Sequence, residues 1–142
     1  MLARNAENID ALAAKYPGTK AYPCDVGDLD ALKDTIVRVR TEMGAPAVVV
    51  HNALRATRGP MLEMDPDDLE RIFRVNTTAL LHLARETIPG MLDAGGGAIL
   101  VTGNTSAMRG KAQWGFVAST KASQRILAES MAREAVGGGS SP

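Results

Sequence analysis

The stretch Ala47-Val48-Val49-Val50-His51-Asn52 decides the fold class. Its first four residues form a compact apolar run that is too short for a helix and rich in β-branched side chains, which is typical of a strand. Because the run does not alternate with polar residues, it predicts a strand buried on both faces, as in a parallel sheet covered by helices. A second run of this kind, Ala98-Ile99-Leu100-Val101-Thr102, follows Gly95-Gly96-Gly97. Two buried strands are therefore predicted.

Helical periodicity occupies most of the remaining chain. Asp28 and Asp65 fit N-cap positions, where a carboxylate accepts a hydrogen bond from an exposed backbone N–H. Pro66 then fits the first helical position. The predicted helices run from Ile9 to Tyr16, from Asp28 to Met43, from Asp65 to about Ile88, and from about Phe116 to Ala135, with a short extended segment from Lys20 to Pro23. Helices alternating with short strands predict a single α/β domain with a parallel sheet.

Composition narrows the function classes. The 142 residues carry 16 basic and 16 acidic side chains, so no electrostatic footprint for nucleic acid or an anionic membrane is present. No segment approaches the ~20 apolar residues of a membrane span, and no pattern predicts a metal site. One cysteine, Cys24, favours a reducing compartment. We expect a soluble, cytoplasmic domain over residues 1–136, with a flexible glycine and serine tail over residues 137–142.

Four short segments occur in an order and at intervals that together indicate a family. They are Cys24-Asp25-Val26, then Val48 to Ala53, then Arg74-Val75-Asn76-Thr77, and last Ile99 to Thr102 followed by Ala118-Ser119-Thr120-Lys121-Ala122. Together they resemble the middle of a short-chain dehydrogenase/reductase, a nicotinamide-dependent oxidoreductase. The resemblance covers nearly the whole chain. It implies a partial Rossmann-like, doubly wound parallel sheet in three α/β/α layers, without the family's first strands and its C-terminal strands.

The resemblance also implies residues that bind NAD or NADP. Asp25 matches the aspartate that bonds the adenine amine, and Val26 matches the residue whose backbone lies beside it. Asn52 and Ala53 match the start of the family's turn under the adenine ribose. Arg4 matches a position where a basic residue often meets the 2′-phosphate of NADP. In that turn His51 replaces an asparagine and Leu54 replaces a glycine. The family's glycine permits a close backbone approach, which a leucine side chain hinders.

The family's catalytic pattern is only partly present. Lys121 matches the lysine that binds the nicotinamide ribose and lowers the pKa of a neighbouring tyrosine. The tyrosine position holds Val117, which has no proton to transfer, and the serine position holds Asn104, whose amide can still donate a hydrogen bond. Thr105 and Ser106 supply hydroxyls there only if the register slips. Losing a general acid costs a factor of about 10²–10⁴ in rate.

Two of these residues also have interpretations that need no family. Asn76 lies on the apolar stripe of its helix, so it is either satisfied by its own helix or by water, or it distorts the helix and orders a water that leads to the lysine, as the resemblance implies. Lys121, judged as a helical lysine alone, is expected to be solvated. The resemblance places it in the active site instead.

Two functions follow from different classes. One is a family oxidoreductase acting on a small carbonyl or alcohol substrate, and the other is a non-catalytic remnant that only folds and associates. No glycine-rich phosphate-binding turn occurs in the chain. We expect such a turn to be encoded upstream of Met1, and the isolated chain to bind NAD or NADP no more tightly than millimolar. A homo-oligomer through helices 66–88 and 116–135 is also expected.

Overall fold

The computed structural model describes residues 1–136. Within them, short parallel strands alternate with longer helices, as the hydrophobic pattern predicts. The strands are β1 (Leu2–Ala3), β2 (Tyr22–Pro23), β3 (Val48–His51) and β4 (Ala98–Val101). The helices are α1 (Ala6–Lys15), α2 (Leu29–Met43), α3 (Pro66–Phe73), α4 (Ala79–Asp93) and α5 (Gly115–Val136). A π-helical turn, Arg74–Thr78, joins α3 to α4, and short 3-10 turns cover Met61–Glu63 and Thr105–Ala107.

The strands form two separate parallel pairs in the described part of the chain. One pair is β1 with β2, and the other is β3 with β4, in which Val48 lies opposite Ala98 and His51 opposite Val101. This α/β arrangement of parallel strands and covering helices confirms the predicted partial Rossmann-like fold class.

The prediction that the two apolar runs are buried on both faces is wrong. Val48, Val50 and Leu100 are 57%, 61% and 54% exposed. Alternate residues of a strand point to opposite faces, and within residues 1–136 helices cover only the face that carries His51. The apolar run therefore identified a strand correctly but not the number of its faces that are covered.

Residues at the helix boundaries determine where α2 and α3 begin. Asp28 caps α2 by accepting a hydrogen bond from the Ala31 N–H at 3.0 Å, and Asp65 caps α3 by accepting from the Asp67 N–H at the same distance. Both caps confirm the sequence prediction. The core forms where α2 packs on α4, around Cys24, Leu32, Ile36 and Ala79.

The long helix ends later than expected. The sequence predicts an end near Ile88, but α4 continues through Pro89 to Asp93. The glycines that follow set the end instead: Gly95 and Gly96 have positive φ angles of 86° and 140°, and the Gly96 N–H donates to the Met91 carbonyl at 2.8 Å. Such conformations suit glycine and close a helix C-terminus.

Two remaining expectations differ in outcome. The extended segment predicted over Lys20–Pro23 is a strand only at Tyr22–Pro23. The predicted tail, residues 137–142, lies outside the described residues. Among the described helices, none combines the length and apolar character needed to cross a bilayer.

Candidate active site

Lys121 lies at the carboxyl ends of β3 and β4. The Thr102 N–H donates to the His51 carbonyl at 3.1 Å, which continues the strand pairing by one residue. From the second turn of α5, Lys121 Nζ donates to the Thr102 carbonyl at 2.9 Å. The lysine is only 4% exposed, so the expectation that it is solvated is wrong. Its ammonium group therefore reaches the strand ends from α5.

The surroundings of Lys121 are polar but uncharged. Its second acceptor is Gln124 Oε1 at 2.8 Å, and none of residues 1–136 places a carboxylate within ion-pair distance. Burial lowers the pKa of Lys121 because desolvation disfavours the ammonium form. The lysine is thus a buried cation held by two neutral oxygens, an arrangement typical of functional lysines.

Asn76 is fully buried in the π-helical turn. Its Oδ1 accepts from the Arg55 N–H at 2.8 Å, and its Nδ2 donates to the Arg55 carbonyl and to Thr120 Oγ1, each at 3.0 Å. The side chain is therefore satisfied by the loop after β3 and by α5, not by its own helix. The helix distortion implied by the resemblance is present, and π-turns of this kind are frequent at functional sites.

Gln124 links these two residues, and sequence reasoning missed it. Its Nε2 donates to the Asn76 backbone carbonyl at 2.6 Å while its Oε1 accepts from Lys121. Gln124 is 1% exposed. The sequence signal was its position three residues after Lys121, which places both side chains on one face of α5.

The two positions that depart from the family pattern differ in exposure. Val117 is 2% exposed in the first turn of α5, one turn before Lys121. Asn104 is exposed after β4, and its Oδ1 accepts from both the N–H and the hydroxyl of Ser106 at 2.8 Å. The Asn104 oxygen is therefore used within its own turn, which leaves the amide nitrogen as the group that can donate to a substrate.

His51 is a further buried titratable group at the end of β3. It is 4% exposed, and its Nε2 has no hydrogen-bond partner among residues 1–136. Burial lowers the pKa of His51, and the charge of Lys121 adds to that shift, whereas the Asn76 backbone opposes it. These effects together favour the neutral form of the His51 imidazole.

Asp25, which is expected to bind the adenine amine, borders an open cavity of about 430 Å³. Asp25 is exposed there and accepts from the Gly27 N–H at 2.9 Å. A Cβ at Gly27 would lie 3.0 Å from Val75 Cγ2, so glycine allows this turn to approach the π-helical segment closely. The cavity is lined by Asp25, Gly27, Arg55, Asp67, Glu70, Arg71, Arg74 and Val75.

The other predicted cofactor residues follow strand ends. Val26 is half-buried and packs against the core, next to Asp25. Asn52, which is exposed, and Ala53, which is half-buried, directly follow β3, and Arg4 is exposed directly after β1. The structure thus links Lys121 to Asn76 through Gln124, whereas Asp25 borders a cavity whose lining includes Arg55 but not Lys121.

Comparison with known proteins gives consistent matches. A family model described as enoyl-(acyl carrier protein) reductase matches residues 2–139. An uncharacterised short-chain type dehydrogenase/reductase of Sinorhizobium fredii is 31% identical over 137 residues, which is 92% of this chain and 54% of that protein. A fatty acyl-CoA reductase of Mycobacterium tuberculosis is 32% identical over 105 residues, covering 70% of this chain and 36% of that protein.

Solved structures agree. A short-chain dehydrogenase from Streptomyces avermitilis superposes with a TM-score of 0.91 at 27% identity, covering 96% of this chain and 50% of that one. A metagenomic short-chain oxidoreductase in complex with NADP gives a TM-score of 0.87 at 25% identity, covering 94% and 62%. These matches cover most of this chain but only about half of each matched protein.

Proposed function

Because the chain belongs to the short-chain dehydrogenase/reductase family, we propose that it forms part of an NAD(P)-dependent oxidoreductase that transfers a hydride between nicotinamide and a carbonyl or alcohol carbon. The observation that carries this proposal is the buried Lys121, fixed by Thr102 at the strand ends and connected to Asn76. In open α/β sheets, ligands bind outside the carboxyl ends of the strands.

The residues present fit the adenine half of such a cofactor. The Asp25 carboxylate can accept from an exocyclic amine at the mouth of the cavity beside Gly27. Asn52 and Ala53 directly follow β3, and we expect them to contact the adjacent ribose, while Arg4 would meet a 2′-phosphate if the cofactor is NADP. When bound, the nicotinamide supplies or accepts the hydride. A glycine-rich pyrophosphate turn is absent from these 142 residues.

The chain's own residues divide the remaining work. Lys121 donates hydrogen bonds from a buried, fixed ammonium group, which suits it to hold a ribose hydroxyl. Asn104 can donate from its amide nitrogen to a substrate oxygen, in the manner of an oxyanion donor. Val117 binds no proton, so the proton that accompanies the hydride must come from another group or from solvent.

The test rebuilds the missing proton donor. The variant Val117→Tyr with Asn104→Ser is made in a protein that carries a strand and glycine-rich turn before Met1, and carbonyl reduction is followed at 340 nm with both cofactors. We expect the double variant to exceed the parent by about 10²-fold or more, the usual contribution of a positioned general acid, and Val117→Tyr alone to recover part of this. A variant that binds cofactor but stays inert would overturn the assignment of residues 104 and 117.

One observation favours a second candidate, a non-catalytic chain that only folds and associates. Val117, at the tyrosine position, is buried and carries no proton-transferring group. The same assay separates the two: a parent protein that binds NADPH yet transfers no hydride to any carbonyl would favour this candidate.

We further propose that the chain self-associates. An apolar groove of about 680 Å³ lies between the α3–α4 segment and α5, and Phe73, Leu81 and Ile126 in its lining are 39%, 37% and 50% exposed. A second copy could cover this surface through a two-fold axis that pairs like with like.

A further inference from the structure

The buried side chain of Gln124 hydrogen-bonds both the Lys121 ammonium and the Asn76 backbone carbonyl. From this geometry we infer that Gln124 is a positioning residue. Its side chain holds Lys121 at the strand ends by bridging the Lys121 ammonium group directly to the Asn76 carbonyl. Only the catalytic consequence of this inference rests on the proposed function. The bridge itself exists whether or not the protein transfers hydride.

The direction of the Gln124 amide is fixed by its partners. Lys121 Nζ is purely a donor and the Asn76 carbonyl is purely an acceptor, so only one orientation of the amide satisfies both. Turning the amide over would place its NH₂ group against the ammonium and its oxygen against the carbonyl. With 1% of Gln124 exposed, neither partner can compensate by turning to solvent.

An amide in this place differs chemically from a water molecule. A water can accept a proton on one side and release one on the other, so a water bonded to a lysine can relay a proton to or from it. A primary amide accepts at its oxygen and donates from its nitrogen without exchanging a proton between them. Gln124 therefore fixes the geometry of Lys121 without itself relaying a proton from Lys121 to the Asn76 carbonyl.

His51 on β3 is a neighbouring titratable group. Burial lowers the pKa of His51, and the positive charge of Lys121 lowers it further. The other oxygen that Lys121 contacts, the Thr102 carbonyl, does not titrate. A shift of the Gln124 carbonyl therefore reports Lys121 when its midpoint matches that of the Lys121 Cε signal and differs from that of the His51 ring signals.

The test uses the unaltered chain without cofactor. The sequence contains two glutamines, Gln113 and Gln124, so side-chain ¹³C-labelled glutamine gives two carbonyl signals, and the exposed Gln113 is the internal control. We expect the Gln124 carbonyl to shift on alkaline titration with the same midpoint as the Lys121 Cε signal, and the Gln113 carbonyl to show no such shift. A Gln124 signal that does not follow Lys121 would overturn the bridge.

Two variants extend the test to positioning. Gln124→Leu removes an acceptor from a buried cation, and the proton affinity of Lys121 should fall by roughly tenfold or more. Gln124→Glu places a carboxylate there and should raise it. Thr87→Val, another buried polar position whose hydroxyl bonds only its own helix, should leave the Lys121 titration unchanged. If Gln124→Leu does not fold, the Glu variant decides, and an unchanged Lys121 midpoint in a folded variant contradicts the inference. Because no cofactor is present, failure here is distinguishable from failure of the proposed oxidoreductase function.

Discussion

Replacing Asn76 by leucine tests how strongly this residue ties the loop after β3 to the helices. The side chain makes three hydrogen bonds from a fully buried position, two to the Arg55 backbone and one to Thr120. Each such bond contributes about 1 kcal/mol net. Leucine forms helix more readily by a few tenths of a kcal/mol, which offsets a small part of the loss.

We therefore expect Asn76→Leu to lower the free energy of unfolding by about 2–3 kcal/mol. For a domain of this size, that corresponds to a fall in Tm of roughly 6–12 °C. Urea unfolding followed by circular dichroism measures the first quantity, and amide hydrogen exchange at Arg55 shows whether the loop itself is released. The Arg55 N–H loses its acceptor in the variant, so its protection should fall more than that of the α2 core.

The matched control is Asn8→Leu, the same substitution at an exposed position inside α1. We expect its effect to stay within about 0.5 kcal/mol, as for most surface substitutions. If Asn76→Leu destabilises the protein no more than Asn8→Leu, or if Arg55 exchange is unchanged, the bridging role of Asn76 is refuted.

Two further predictions concern His51 and the apolar groove. Because burial lowers the pKa of His51, the unfolded chain binds a proton that the folded chain does not as pH falls below about 6.5, so stability should fall with decreasing pH in that range. His51→Asn should reduce the loss of stability between pH 7.5 and pH 5.5, measured by urea midpoints, and an unchanged loss would contradict the burial argument. Ile126→Lys places a charge in the apolar groove between the α3–α4 segment and α5 and should convert an oligomer to a monomer of 15.0 kDa in light scattering. A parent chain that is already monomeric at every concentration would rule out the association.

Local chemistry explains what the sequence could predict. Asp28 and Asp65 act as caps through hydrogen bonds that reach two or three residues along the chain, so neighbouring residues suffice to recognise them. The family resemblance likewise located Lys121 and Asn76, because its motifs preserve their spacing. Their roles in binding cofactor and in catalysis remain predictions.

What the sequence could not supply depends on distant partners. Gln124 meets the Asn76 carbonyl across 48 residues, and its spacing of three from Lys121 indicates a shared helix face but not this distant partner. The exposure of Val48 and Val50 depends on what covers their sheet face, which a short apolar run does not reveal. Pro89 misplaced the end of α4, because the later glycines, not the proline, supply the C-terminal hydrogen bond.

The most direct test of the oxidoreductase function is deuterium transfer from C4-labelled NADH or NADPH to a panel of carbonyl compounds. It is done in a fusion that adds a strand and a glycine-rich turn before Met1, with Lys121→Met as the control. We predict deuterium at the new alcohol carbon of at least one compound, and at least tenfold less of it in the control, because methionine cannot hold the ribose hydroxyl. Cofactor that binds beside Asp25 but transfers no deuterium to any compound would contradict the proposed function.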